Sequence, residues 1–306
     1  MTISKIFGRE ILVTASKLLT HQKNSHVNLK FNTTLTNKCY STSSDVPSYK
    51  FSRLEHEPSK LDTTGDRMYS SAGLLREAMP KHIAICLDGN RTWCRARGRD
   101  PDYTIFFDKN MLLIDLCLKW GVPKVSSLIW GIGNFTKRGQ QANDFFFGQF
   151  TKFIEDNLEY FKRNGIKVIP MGETSMLSKS IQETIKQVEE TTKMNTKLEL
   201  SLAICYTGQK DITNATRKIC EKVKQGIIQP SEVTEDTIEK ELSYSSSLLP
   251  DLFIRTGGEL RVGALLTWQV SHTELYFTDT LAPEFCEGIF VDALRSYQQR
   301  NRKFGK

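Results

Sequence analysis

Pro250-Asp251-Leu252-Phe253-Ile254-Arg255-Thr256-Gly257-Gly258-Glu259-Leu260-Arg261 is an apolar run that breaks into a polar turn. The run has the length and apolar character of a buried strand. The turn carries two arginines, two glycines and a glutamate. Arginine presents a flat, permanently charged fork that matches phosphate oxygens, and glycine lets backbone approach a ligand closely. A strand end, a glycine turn and converging arginines describe a phosphate pocket at the carboxyl edge of a parallel sheet. Taken alone, the same residues also describe a surface loop with two solvated arginines.

A second segment of the same design lies upstream. His82-Ile83-Ala84-Ile85-Cys86-Leu87-Asp88-Gly89-Asn90 is a short apolar strand ending in a polar turn, followed by Arg91, Trp93, Arg95 and Arg97. A carboxylate at a strand end suits Mg²⁺, which takes one or two carboxylates plus substrate phosphate oxygens. Asp88 and Asn90 also fit the plainer role of capping the next helix.

Together the two segments resemble the cis-prenyltransferase family, the prenyl diphosphate synthases related to undecaprenyl diphosphate synthase. The opening motif of that family, H-x-A-x-x-x-D-G-N-x-R-W, corresponds to His82–Trp93. Its closing stretch corresponds to Arg255–Arg261, then Leu265-Leu266-Thr267-Trp268-Gln269 and Glu274-Leu275-Tyr276-Phe277-Thr278-Asp279. The likeness covers roughly residues 79–304. It implies an α/β fold with a central, mostly parallel six-stranded sheet flanked by helices, as in undecaprenyl diphosphate synthase.

The composition sets outer bounds. The 306 residues suffice for one large α/β domain plus an extension. The net charge of +7 suggests nucleic acid at first sight. Residues 1–44, however, hold six basic side chains against Glu10 alone, leaving about +2 for the rest, too little for a phosphate-backbone binder. The leader is rich in Ser and Thr and nearly free of acids, the composition of an organelle transit peptide. Residues 1–48 are therefore assigned to a transit peptide, 49–78 to a linker and short helix through Leu74–Met79, and 79–306 to the catalytic domain. The resemblance to plant members implies a plastid stroma. No apolar run reaches the length of a membrane span.

The seven cysteines are odd in number and contain no C-x-x-C. They read as buried, reduced thiols. Only His82 and His272 lie beyond residue 56, which leaves no histidine triad or multi-histidine metal site.

Strand candidates are Ile83–Leu87, Val125–Trp130, Ile166–Met171, Leu198–Tyr206, Asp251–Arg255 and Glu274–Phe277. Helical periodicity fills the gaps, over Thr104–Trp120 (Phe106, Leu113, Leu116 and Trp120 on one face) and Asn143–Arg163 (Phe146, Phe150, Phe153, Leu158 and Phe161). Further helices follow Thr174, Gln209, Thr234 and Pro283. This alternation argues for a parallel sheet covered on both faces.

The family couples an allylic diphosphate to a five-carbon diphosphate with Mg²⁺. Residue by residue, the resemblance implies that Asp88 holds Mg²⁺ against the first diphosphate and that Glu274 joins the same metal. Gly89, Asn90 and Arg91 present donors at a helix start, Arg97 or Arg99 adds a cation, and Arg255 and Arg261 hold the second diphosphate. Asn134 and Phe135 flank the allylic carbon, and Trp93 lines the site or fills the core.

The departures matter as much. Thr92 stands where the family has arginine, and the usual G-H-x-A-G is replaced by Ile105-Phe106-Phe107-Asp108-Lys109-Asn110. The usual F-S-x-E-N-W becomes Trp130-Gly131-Ile132-Gly133-Asn134-Phe135. The usual R-x-S-N becomes Arg261-Val262-Gly263-Ala264, and the C-terminal R-x-G becomes Lys303-Phe304-Gly305. Hydroxyls that would handle isopentenyl diphosphate are thus missing around Gly131 and Gly263. One reading is a head-to-middle synthase that uses dimethylallyl diphosphate twice. A second is a regular short-chain synthase joining dimethylallyl and isopentenyl diphosphates. A third is a non-catalytic partner of a heteromeric enzyme. Phe106, Phe107, Phe145, Phe146 and Phe147 suggest a closed tunnel and a short product, made by a homodimer.

Overall fold

The computed structural model describes residues 63–243 and 249–302. All of them fall in one compact unit, Ser43–Lys306. The leader and the Lys303-Phe304-Gly305 segment lie outside the described residues.

Six strands form one sheet: β1 (His82–Cys86), β2 (Lys124–Gly131), β3 (Ile166–Met171), β4 (Leu198–Tyr206), β5 (Leu252–Arg255) and β6 (Glu274–Phe277). Their spatial order is β3-β4-β2-β1-β5-β6, and every neighbouring pair is parallel. Each strand lies within a residue or so of its sequence-predicted position. The helices are α1 (Thr63–Ser71), α2 (Asn90–Ala96), α3 (Thr104–Lys119), α4 (Ile132–Lys137), α5 (Gln140–Arg163), α6 (Lys179–Thr192), α7 (Gly208–Lys224), α8 (Glu235–Glu241) and α9 (Glu287–Gln298).

The strands are separated by connections long enough for parallel crossovers, helical in each case but the β5–β6 link. A sheet covered on both faces buries continuous apolar runs, and every residue of β1 and of β5 is buried. Side chains alternate between faces. Ile83, Ile85, Leu252 and Ile254 enter the larger core. Ala84, Cys86 and Phe253 enter a smaller one with Leu265 and Leu266.

Two expectations change. Helix α1 occupies a stretch read as linker, and the proposed helix at Leu74–Met79 is only a 3-10 turn at Arg76–Ala78. The cause is tertiary. Tyr69 packs edge-on against Trp120, with ring centroids 5.5 Å apart, and its hydroxyl donates to the Trp120 carbonyl at 2.9 Å. The cysteines also divide. Cys86, Cys94, Cys117 and Cys205 are buried and free, whereas Cys220 is free but exposed.

Strand β1 has β2 on one side and β5 on the other. The chain therefore winds away from β1 in both directions. In open α/β sheets, ligands bind beyond the carboxyl ends of the strands at such a switch point.

Candidate active site

Asp88 follows β1 and Arg255 ends β5, on the two sides of that switch point; Cys86 and Arg255 are register partners. The turn at Asp88 is clamped from two loops. Its carbonyl accepts from the Thr256 hydroxyl at 2.8 Å and from the Ala282 amide at 2.9 Å. Gly257 lies against it so closely that a Cβ there would meet the Asp88 backbone at 3.0 Å. Gly89 then turns the chain into α2 with φ of 106°, and a Cβ on it would meet Leu281 at 2.7 Å. Only glycine combines that backbone with that proximity.

The Asp88 carboxylate is paired through one oxygen. Arg255 donates to Oδ2 from Nε at 2.9 Å, and its Nη2 forms an ion pair with the same oxygen at 2.8 Å. No described residue bonds Oδ1, and the Asp88 side chain is 43% exposed, so this oxygen is open to a ligand. Arg255 itself is nearly buried, and its Nη1 donates to the Arg261 carbonyl. The Arg261 side chain extends outward, 71% exposed, and pairs with Glu259 at 2.5 Å.

Asn90, at the first position of α2, is buried and donates from Nδ2 to the Asp102 carbonyl at 2.8 Å. Among the described residues its Oδ1 is buried without a partner, and a lone buried acceptor costs free energy.

Trp93 is buried and forms a platform. The Arg97 guanidinium lies 4.1 Å from its ring centroid and that of Arg99 lies at 5.9 Å. Arg97 also pairs with Glu284 at 3.3 Å. Both arginines are exposed cations near the start of the site, held by the tryptophan.

On the other side, the end of β2 supplies Gly131 and helix α4 supplies Asn134 and Phe135. Phe135 packs edge-on against Phe147, centroids 6.2 Å apart, and its carbonyl accepts from Asn143 Nδ2 at 2.8 Å. Asn143 Oδ1 in turn accepts from Trp130 Nε1 at 3.1 Å, tying α5 to β2. One cation here escaped the sequence reading. Arg138 lies over the Trp130 ring at 4.5 Å and donates to the Tyr103 hydroxyl at 3.0 Å. Burial lowers its pKa; Tyr103 opposes that, Arg91 adds to it and Asp88 works against it. Arg138 thus shares electrostatic space with Arg91 and Asp88. The signal was available, a basic pair closing the turn that carries Asn134 and Phe135.

Glu274 is a correction. It begins β6 and pairs in register with Leu252, which pairs with Ile83. Asp88 lies five residues beyond Ile83, about 16 Å along the strand direction at the usual rise. The Glu274 carboxylate is bonded instead to Arg300 Nη1 at 2.6 Å. Within one chain, Glu274 belongs to the amino edge of the sheet, away from the carboxyl edge where Asp88 lies.

Behind the site stands an aromatic wall. Trp130 and Phe146 stack with centroids 3.9 Å apart, and Tyr103 meets Phe146 edge-on at 5.0 Å. Phe107 lies 5.4 Å from Phe146 and stacks on Phe153 at 5.0 Å. Phe106 and Phe147 are buried beside them, whereas Phe145 is 48% exposed and only flanks Tyr103.

The chain matches the family model described as putative undecaprenyl diphosphate synthase over residues 86–305. It is 38% identical over 233 residues to dehydrodolichyl diphosphate synthase 2 of Arabidopsis thaliana, covering 75% of each protein. It is also 38% identical over 233 residues to the chloroplastic (2Z,6Z)-farnesyl diphosphate synthase CPT6 of Solanum lycopersicum, covering 75% of this chain and 80% of the relative. Its fold matches the crystal structure of lavandulyl diphosphate synthase from Lavandula x intermedia in complex with dimethylallyl diphosphate. That match has a TM-score of 0.72 and 31% identity, over 75% of this chain and all of the other. Arginines clustered around one carboxylate at the switch point of a sheet of this order are thus found on a chain with the sequence of one family: it belongs to the cis-prenyltransferases, the undecaprenyl diphosphate synthase-like enzymes, and is a prenyltransferase.

Proposed function

We propose that the enzyme joins two dimethylallyl diphosphates head-to-middle to give lavandulyl diphosphate, a branched ten-carbon product. The observation that carries a short product is the aromatic wall. Trp130, Phe146, Tyr103 and Phe107 fill the space behind the Asn134 turn with rings in van der Waals contact. Interiors are packed to crystal density, so a growing chain has nowhere to extend.

Mg²⁺ fits the residues present. Among the described residues, no three acidic, cysteine or histidine groups converge on one point. Mg²⁺ needs no such cage, since it keeps waters and takes one or two carboxylates plus substrate phosphate oxygens. Asp88 Oδ1 would hold it, and the unpartnered Asn90 Oδ1 would accept from its hydration shell. When bound, Mg²⁺ neutralises the diphosphate that leaves. The protein's part is binding and orientation. Arg91 and Arg138 face the first diphosphate across Asp88, Arg97 and Arg99 add positive field, and Arg261 meets the second diphosphate. The C2 alkene carbon of one unit attacks C1 of the other. The C1–O bond breaks to release diphosphate, and the resulting C3 cation loses a methyl proton to that diphosphate.

The second substrate is assigned from what is missing. Gly131, Gly263 and Ala264 stand where relatives of regular coupling place hydroxyl and amide groups. The lavender enzyme, whose structure holds dimethylallyl diphosphate, is a neighbour in fold. Protein lacking residues 1–44, incubated with Mg²⁺ and dimethylallyl diphosphate alone, should yield lavandulol after dephosphorylation. A strict need for isopentenyl diphosphate, with linear nerol, would instead establish the regular synthase. No product from any pairing, with rescue of a catalytic partner, would establish the accessory subunit.

The two glycines are not equivalent. A Cβ on Gly131 would meet nothing closer than the Tyr206 carbonyl oxygen at 3.8 Å, so serine fits there. Gly131→Ser should leave the melting temperature unchanged and raise isopentenyl diphosphate use about fivefold, the worth of one hydrogen bond. Gly263 has φ of +78°, and a Cβ would press on Arg255 Nη1 at 3.2 Å. Serine at 263 should damage the site, which competition kinetics on both single variants will separate.

The setting follows the same reading: the plastid stroma, as a homodimer. Among the described residues no helix is long and apolar enough to cross a membrane. A fluorescent fusion of residues 1–50 should enter plastids in leaf cells. Diffuse cytosolic fluorescence would refute the localisation alone.

A further inference from the structure

Arg138 is held differently from other cations around the site. Arg255 pairs with Asp88, Arg97 with Glu284 and Arg261 with Glu259. Among the described residues Arg138 bonds no carboxylate: its Nη1 donates to the Tyr103 hydroxyl at 3.0 Å, and its guanidinium lies over the Trp130 ring at 4.5 Å. Both partners are neutral. A carboxylate would orient the guanidinium and cancel its charge, whereas a phenol and an indole face orient it and leave the charge whole. The side chain is partly buried, and burial opposes that charge. A partly desolvated cation with neutral partners gains most from an incoming anion. The Tyr103 bond uses one of the five N–H groups of a guanidinium, so the others remain for a ligand.

Tyr103 is itself fixed. It is 6% exposed and meets Trp130 edge-on with centroids 5.6 Å apart and Phe146 edge-on at 5.0 Å. It stands where the chain enters α3, and Arg138 stands just after α4. The hydroxyl therefore ties the start of one helix to the end of another across 35 residues of sequence. A ring packed on two sides fixes where its hydroxyl lies, and the hydroxyl then fixes where the guanidinium points. Arginine has much rotamer freedom to lose, so an anchored guanidinium binds a phosphate more tightly than a free one.

We propose that Tyr103 is a positioning residue, whose hydroxyl aims Arg138 at the first diphosphate without neutralising it. This rests on the reading of Arg138 as a group that faces that diphosphate. Tyr103→Phe keeps the rings of the wall and removes only the hydroxyl, so its melting temperature should stay within about 2 °C of wild type. The probe is inorganic pyrophosphate, titrated by calorimetry into the full chain. Arg138→Gln identifies the site that this arginine governs, where binding should weaken about tenfold or more. Tyr103→Phe should weaken the same site about fivefold, or about 1 kcal/mol. In the Arg138→Gln background, Tyr103→Phe should change binding by less than about 1.5-fold, because the hydroxyl acts only through the arginine. Equal losses from Tyr103→Phe in both backgrounds, or no loss in either, would overturn the proposal. Failure of Tyr103→Phe to fold would overturn it too, since the hydroxyl would then be holding the wall and not one cation. No loss from Arg138→Gln would refute the reading of Arg138 itself, and the proposal with it.

Discussion

Asp88→Ala should lose at least about 100-fold in kcat, roughly 3 kcal/mol of transition-state stabilisation. The loss has two sources. On the proposed reading the leaving diphosphate would forfeit the Mg²⁺ that Oδ1 would hold, and Arg255 is left as an unpaired, nearly buried cation. Steady-state rates with saturating Mg²⁺ measure the first. Thermal unfolding measures the second, and the variant should melt several degrees below wild type. Asp88→Asn keeps the shape and a hydrogen-bond acceptor, so it should recover much of the stability and little of the rate. Near-normal turnover in either variant would show that the chemistry lies elsewhere in the molecule.

Phe146→Ala should be the most destabilising single change in the wall, by about 3–5 kcal/mol. Phe146 is 1% exposed and touches Trp130, Tyr103, Phe106, Phe107 and Phe147. Its removal deletes the stacked partner of Trp130 and leaves a ring-sized void. Urea unfolding should show a lower midpoint at unchanged slope. A shift below about 1 kcal/mol would mean that the void collapses and that these rings do not define a rigid wall.

Much of this architecture could be read from the chain because its signals are local. The runs Ile166–Met171, Leu198–Tyr206 and Glu274–Phe277 are the strands as they stand. Their alternation with long helical patterns determines a parallel sheet. That sheet brings the residues just after β1 and β5 together, so Asp88 and Arg255 were legible as neighbours from two separated motifs. What could not be read depends on register and contacts across the fold. Glu274 follows the same closing motif, yet it starts its strand where Arg255 ends one, and only the β5–β6 register reveals that they occupy opposite edges. Arg138 is one of two adjacent basic residues in sequence, and only the fold shows that it is the one that packs on Trp130 and bonds Tyr103. Helix α1 is a short, polar stretch in sequence and forms where Tyr69 finds Trp120. The occupied state of Arg255 was equally invisible, since a motif names a cation without saying what already binds it.

The carbon–carbon bond that the enzyme makes tests the central claim most directly. Dimethylallyl diphosphate labelled with ¹³C at C1 and a second batch labelled at C2 should be mixed, turned over with Mg²⁺ and no isopentenyl diphosphate, and examined by carbon NMR after dephosphorylation. Head-to-middle coupling predicts a new one-bond ¹³C–¹³C coupling between the C1 of one unit and the C2 of the other. Absence of that coupling, with product forming only when isopentenyl diphosphate is added and its C4 bonded to the labelled C1, would contradict it.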